Sequence, residues 1–204
     1  MATGEGLEIG NATLWTVGHA RHAFDHYLWL LNKHEIELVV DVRSRPFFRW
    51  AEQYDRAQLE PALREAGIEY AWRGELLGQR PHGDHFYDDE GHTLYDEIVK
   101  QKWFMKAIGE LEYEAARKRV ALTCLEEEPW RCHRYLLLGR VLVQRENEVL
   151  HVRRDGRIHT QQDIAVLRQE GQGALFGERE RVWRSIMPMK GGHGQRESPD
   201  EPWE

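Results

Sequence analysis

Two hydrophobic periods alternate along the chain. Short apolar or β-branched runs at Thr13–Val17 (TLWTV), Leu38–Val42 (LVVDV), Ile68–Trp72, Val120–Thr123 (VALT) and Val149–Val152 each predict a strand. Between them, apolar residues recur at three- and four-residue spacing: Phe24, Tyr27, Leu28 and Leu31; Leu59, Ala62, Leu63 and Ala66; Leu136, Leu137, Val141 and Leu142. That spacing predicts amphipathic helices. A helical pattern also covers about Leu94 to Lys118, and Thr160 is placed to cap a short helix over Gln161–Arg168. LVVDV reads as a strand buried on both faces, and such strands lie parallel in sheets covered by helices. The pattern therefore predicts an α/β fold: one domain with a mostly parallel sheet of about five strands and helices on both faces. Residues 1–12 read as a flexible N-terminus, 13–168 as the domain, and 169–204 as a partly disordered extension that Leu175, Phe176 and Trp183 could dock.

Composition narrows the classes. With 204 residues, 41% hydrophobic and 31% charged, the chain can bury one real core. Nothing approaches the roughly 20 apolar residues of a membrane span, and MATGEGLEIG lacks the character of a secretory signal, so a cytoplasmic protein with no membrane partner is expected. A net charge of −7 excludes binding to polyanions through the average field, so any nucleic-acid contact must use a local basic patch. Two cysteines, Cys124 and Cys132, are too few for a disulfide framework.

In a parallel α/β sheet, ligands bind beyond the carboxyl ends of the strands. Those ends deliver Gly18-His19-Ala20-Arg21, Asp41-Val42-Arg43-Ser44-Arg45, Arg73-Gly74-Glu75 and Cys124-Leu125-Glu126. The densest chemistry lies in CLEEEPWRCHR, Cys124 to Arg134, between a strand end and a helix start. Amides opening that helix could lower a thiol pKa or receive an anion. Cys124, Cys132 and His133 supply three of the four groups of a tetrahedral zinc site. Seven residues separate the cysteines, however, where structural zinc sites use close pairs, so neither metal nor cofactor is expected. The second segment, DVRSRPFFR, sets Arg43, Arg45 and Arg49 beside Phe48 and Trp50, a pairing of phosphate-binding forks with surfaces on which a base can stack. His19, Glu75 and Tyr87 complete the candidate rim.

TVGHAR, DVRSRP and CLEEEPWRCHR, in this order, resemble the motifs T-[IV]-G-H-S, D-V-R-x-x-P and C-x-E-x-x-x-x-x-C-H-R of domain-of-unknown-function family 488, over about Thr13 to His159. The resemblance implies one α/β domain whose motifs share a cleft and maps onto Gly18, His19, Asp41, Arg43, Pro46, Cys124, Glu126, Cys132, His133 and Arg134. Ala20 stands where the family often has Ser. Rhodaneses are a weaker likeness: they share the D-V-R strand end and a later Cys, but their short anion-cradling loop is replaced here by a longer acidic one.

Three functions compete. The first is a nucleotide or nucleic-acid hydrolase, for example a DNA glycosylase acting on a modified base. In it, Asp41 and Glu126 activate water or stabilise a cationic sugar, Arg43, Arg45, Arg49 and Arg134 hold phosphate, and Phe48, Trp50 or Tyr87 stack on the base. The second is thiol chemistry, sulfurtransfer or redox, with Cys124 or Cys132 as nucleophile and His133 as base. The third is a non-catalytic nucleotide- or protein-binding module. The first is preferred because it uses all the rim segments.

Overall fold

The structure, a computed structural model, describes residues 11–47, 50–171 and 182–189. In chain order its elements are β1 (Thr13–Gly18), α1 (Phe24–Lys33), β2 (Leu38–Asp41), α2 (Arg56–Glu65), β3 (Glu69–Trp72), α3 (Gly74–Leu77), β4 (His92–Leu94), α4 (Tyr95–Val99), α5 (Lys102–Ala115), β5 (Val120–Cys124), a widened π turn (Arg134–Gly139) running into α6 (Arg140–Gln144), β6 (Glu148–Val152), β7 (Ile158–Thr160), α7 (Gln161–Gly171) and β8 (Arg184–Pro188). The main sheet has the order β3-β2-β5-β1-β6-β7. Its first five strands are parallel, and β7 turns back antiparallel along β6. The fold is thus α/β with a mostly parallel sheet.

Alternation along the strands explains the two layers of helices. On one face, Trp15, Val17, Val39 and Ala121 pack with Tyr27, Leu30 and Leu31 of α1 and Leu59 and Leu63 of α2. The intervening residues, Leu14, Leu38, Val40, Val120 and Leu122, meet Tyr95 and Ile98 of α4, Phe104, Ile108 and Leu111 of α5, and Val141 and Leu142 of α6.

Several expectations need amendment. The sheet has a sixth strand, β7, which returns antiparallel along β6. Trp29 is 44% exposed, because α1 buries the face carrying Tyr27, Leu30 and Leu31. The stretch between Arg73 and His92 holds α3, and its Phe86 is buried in the core. At the start, Ala12 is already part of the fold, buried and bonded through its N–H to Asn147 Oδ1 at 3.2 Å. At the other end, β8 pairs antiparallel with β4, and Trp183 donates from Nε1 to the Leu136 carbonyl at 2.7 Å. Leu175 and Phe176 lie outside the described residues. Among those residues no helix is long and apolar enough to cross a membrane.

β1 and β5 lie side by side at the centre, yet the chain leaves β1 toward β2 on one side and leaves β5 toward β6 on the other. A crevice opens at the carboxyl ends of strands where connections diverge in this way. Gly18 pairs with Cys124 there.

Candidate functional site

Gly18 is fixed by contact. A Cβ at this position would run into the Glu126 carbonyl and the Arg134 guanidinium, so only glycine lets the loop after β5 close over the end of β1. The next two residues extend the pairing, His19 N–H to Cys124 O at 3.0 Å and Ala20 N–H to Leu125 O at 2.7 Å. Ala20 takes a left-handed φ of 45°, a costly conformation for a residue with a Cβ.

Asp41, at the end of β2, is fully buried and paired with buried Arg43. Nε donates to Oδ1 at 2.9 Å and Nη2 to Oδ2 at 2.6 Å, while the Tyr70 hydroxyl donates to Oδ2 at 2.8 Å. The same guanidinium reaches His19 Nε2 at 3.0 Å and the Tyr54 carbonyl at 2.7 Å. His19 Nδ1–H then donates to the Ala20 carbonyl at 2.9 Å, which makes Nε2 the acceptor from Arg43. Burial, reinforced by the Arg43 charge, pushes the His19 pKa down to about 3, and the ring stacks on Tyr54 at 4.1 Å. Asp41 is therefore the counter-ion of an arginine that braces the crevice wall. Neither it nor Arg43 faces the rim as the water-activating and phosphate-binding groups expected from the sequence.

The other wall is CLEEEPWRCHR. Pro129–Arg131 form a 3-10 turn that folds the segment back, and Arg134, fully buried, donates to the Glu126 carbonyl and, at 2.7 Å, to the Glu127 carbonyl. Arg134 thus holds the loop rather than a substrate phosphate. Folding back brings Cys124, Cys132 and His133 together despite their separation in sequence, with their ligating atoms within 4.8 Å of one another. His133 Nδ1 lies 3.7 Å from each sulfur, and Nε2–H donates to the Val42 carbonyl at 3.1 Å. Glu126 Oε2 is 3.4 Å from Cys124 Sγ.

These groups perturb one another. A hydrogen bond from Cys132 holds the Cys124 thiol well below its ordinary range, against its burial and with help from His133. Burial, then the same hydrogen bond, pushes Cys132 up. Burial opposes charging His133, but the Cys124 thiolate outweighs it and raises its pKa. Burial and the Cys124 charge push the Glu126 carboxyl up to about 7.

Toward solvent, Arg45, Phe47 and Trp50 are exposed on the loop after β2, the two aromatics at 56% and 53%. Arg80 lies close enough to Arg45, Tyr87 and Glu126 to feel their charges, and burial and then Arg45 lower its pKa to about 10. Tyr87 is half-buried and donates to the Pro81 carbonyl at 2.8 Å. Glu75 is exposed on the first turn of α3, and its side chain bonds none of the other described residues. Phe48 and Arg49 lie outside the described residues. Sequence reasoning missed Tyr54 and Tyr70. Tyr70 was findable: it pairs with Val39, two residues before Asp41 and on the same side of β2.

The profile of the family described as Domain of unknown function DUF488 matches residues 23–141, more than half of the chain. The chain belongs to this family. The matched stretch takes in the D-V-R and C-x₇-C-H-R segments and begins just after Gly18-His19, which the fold nevertheless joins to them. No curated protein and no solved structure gives a significant match, and the rhodanese likeness therefore gains no support.

Proposed function

We propose that this protein is a hydrolase acting at the β1/β5 crevice on a nucleotide or nucleic acid, with the base-to-sugar bond of a modified base as its candidate target. One observation carries the reading: the loop after β2 exposes Phe47, Trp50 and Arg45, the loop after the neighbouring β5 carries the half-buried carboxylate Glu126, and Arg80 lies close enough to Arg45 and Glu126 to feel both charges. Large apolar side chains half in water beside an arginine are what stacking on a base with a phosphate attached requires. Glu126 is the acid or base at the reacting bond, and Arg45 and Arg80 are the phosphate contacts. With Asp41 consumed by Arg43, the reading uses one carboxylate rather than two. The acidic average charge fits a substrate gripped at a single unit rather than along a duplex. Two free thiols suit the reducing cytoplasm, where we place the protein.

Thiol catalysis is the weaker reading, because both sulfurs are buried. The test is hydrolysis of free nucleotides and modified-base oligonucleotides by the full chain. Turnover lost in Glu126→Gln, with substrate still bound, is the expected result. Tight binding without turnover makes the protein a binding module, and neither binding nor turnover on any substrate removes the proposal.

A further inference from the structure

We propose that Cys124, Cys132 and His133 form a binding site for a divalent zinc-type metal ion, with the fourth position facing Glu126. The inference goes beyond hydrolysis and does not depend on it.

The geometry is that of a ligand set. A tetrahedral zinc with sulfur at about 2.3 Å and nitrogen at about 2.05 Å has sulfur-to-nitrogen edges of about 3.6 Å, and with a carboxylate oxygen at about 2.1 Å a sulfur-to-oxygen edge also of about 3.6 Å. The distances found are 3.7 Å from His133 Nδ1 to each sulfur and 3.4 Å from Cys124 Sγ to Glu126 Oε2. The imidazole is oriented as a ligand requires: Nε2–H is spent on the Val42 carbonyl, so the neutral ring presents its Nδ1 lone pair to the two sulfurs. A ligating histidine held through its other nitrogen by a backbone carbonyl is a recurrent feature of metal sites. Two thiolates and an imidazole form a soft, nitrogen-and-sulfur donor set that favours zinc over magnesium or calcium.

Charge agrees. Binding requires both cysteines as thiolates and His133 neutral, so that two negative charges neutralise the dication, and a Glu126 carboxylate on the fourth position would bring the site to −1. Arg134, buried against the loop, has no carboxylate within ion-pair distance among the described residues, and its Nε has no hydrogen-bond partner. Its positive charge would offset that excess. The other convergent cluster among the described residues, Asp88, Glu90 and His92, differs in this respect, because the Arg184 guanidinium already sits on Asp88 and lies 3.0 Å from Glu90 Oε2. With water or substrate in place of Glu126 at the fourth position, the metal would also be a Lewis acid at the crevice mouth and leave Glu126 free for its proposed acid–base role.

The test uses the full chain, reduced and stripped with a chelator, then titrated with Zn²⁺ and separately with Co²⁺. One equivalent of Zn²⁺ should bind, and Co²⁺ should give the near-ultraviolet charge-transfer band of cobalt thiolates with the strong visible bands of tetrahedral cobalt. Cys132→Ser and His133→Ala should weaken Zn²⁺ by more than the roughly 10–100-fold that loss of an outer-shell partner costs. A wild-type chain with no cobalt thiolate band overturns the proposal, as does a band unchanged in folded Cys132→Ser. If that variant fails to fold, the wild-type cobalt spectrum decides by itself. Because the readout is the metal alone, failure of the hydrolysis assay counts only against the proposed reaction.

Discussion

The Arg43 guanidinium closes on Asp41 through two parallel hydrogen bonds, both groups are buried, and the same fork extends to His19 Nε2 and the Tyr54 carbonyl. One side chain thereby joins the end of β2 to the end of β1, although β5 runs between those strands. Lysine offers no planar fork for this task. Arg43→Lys should lower stability toward the about 3–5 kcal/mol typical of a broken buried pair, read as a lowered urea midpoint. A midpoint equal to wild type would mean that the brace carries no load.

Gly18→Ala tests the close approach of β1 to the loop after β5. The added methyl meets the Glu126 backbone carbonyl, which cannot swing away as a side-chain tip would. Destabilisation at the upper end of about 1–3 kcal/mol is expected, together with loss of turnover. Chemical unfolding and the hydrolysis assay check the two effects separately, and an unaffected variant would show that the contact is slack.

His151 makes stability depend on pH. Its ring is buried between Thr16 Oγ1 and Gln161 Oε1, each 2.8 Å away, and burial pushes its pKa down to about 3. The ordinary value is 6.5, so between about 6.5 and 3 the unfolded chain takes up a proton that the folded chain refuses. The contribution is whole above about pH 6.5 and is lost progressively as the pH falls toward 3, by an amount on the order of a few kcal/mol. The urea midpoint should fall from about pH 7.5 to about pH 5, with a shallower slope in His151→Gln; the same slope in both proteins would refute the assignment.

Phe47→Ala and Trp50→Ala separate recognition from folding. Both side chains are more than half exposed, so stability should stay within about 0.5 kcal/mol of wild type. If each stacks on a base, nucleotide affinity should fall by about 1–3 kcal/mol per substitution, measured by titration calorimetry. Unaltered affinity in both would move the substrate away from this loop.

The strands that the sequence displays most clearly are those buried on both faces: Leu38–Asp41 and Val120–Cys124 read as apolar runs because helices cover both sides of them. β7 and β8 were illegible for the opposite reason. Ile158–Thr160 and Arg184–Pro188 are short strands at sheet edges, and only their partners β6 and β4 make them strands. The helix begun near His133 reads as one apolar period, yet its first part widens into a π turn, where a Cβ on Gly139 would press on the Gln161 side chain and the Arg134 carbonyl. In the site, His19, Cys124, Glu126 and His133 were visible because strand ends in a parallel sheet share a rim. The meeting of Cys124 with Cys132 was not, since ligand spacing describes flat sequence, whereas here a buried arginine bends the intervening loop by its carbonyls. Likewise Asp41 reads as a water-activating carboxylate until Tyr70, from the neighbouring strand, is seen to donate to one of its oxygens.

β1 leaves the ribosome before the other strands of its sheet, and both of its neighbours come from far later in the chain: Leu14 pairs with Val120 on one side and Val149 on the other. During synthesis this apolar segment has no strand to pair with until β5 has emerged, and the crevice beside it cannot form before then. Birth order thus differs from spatial order: the earliest strand of the sheet waits at its centre for partners made much later, and a chain halted before β5 would carry that strand unpaired and open to other chains.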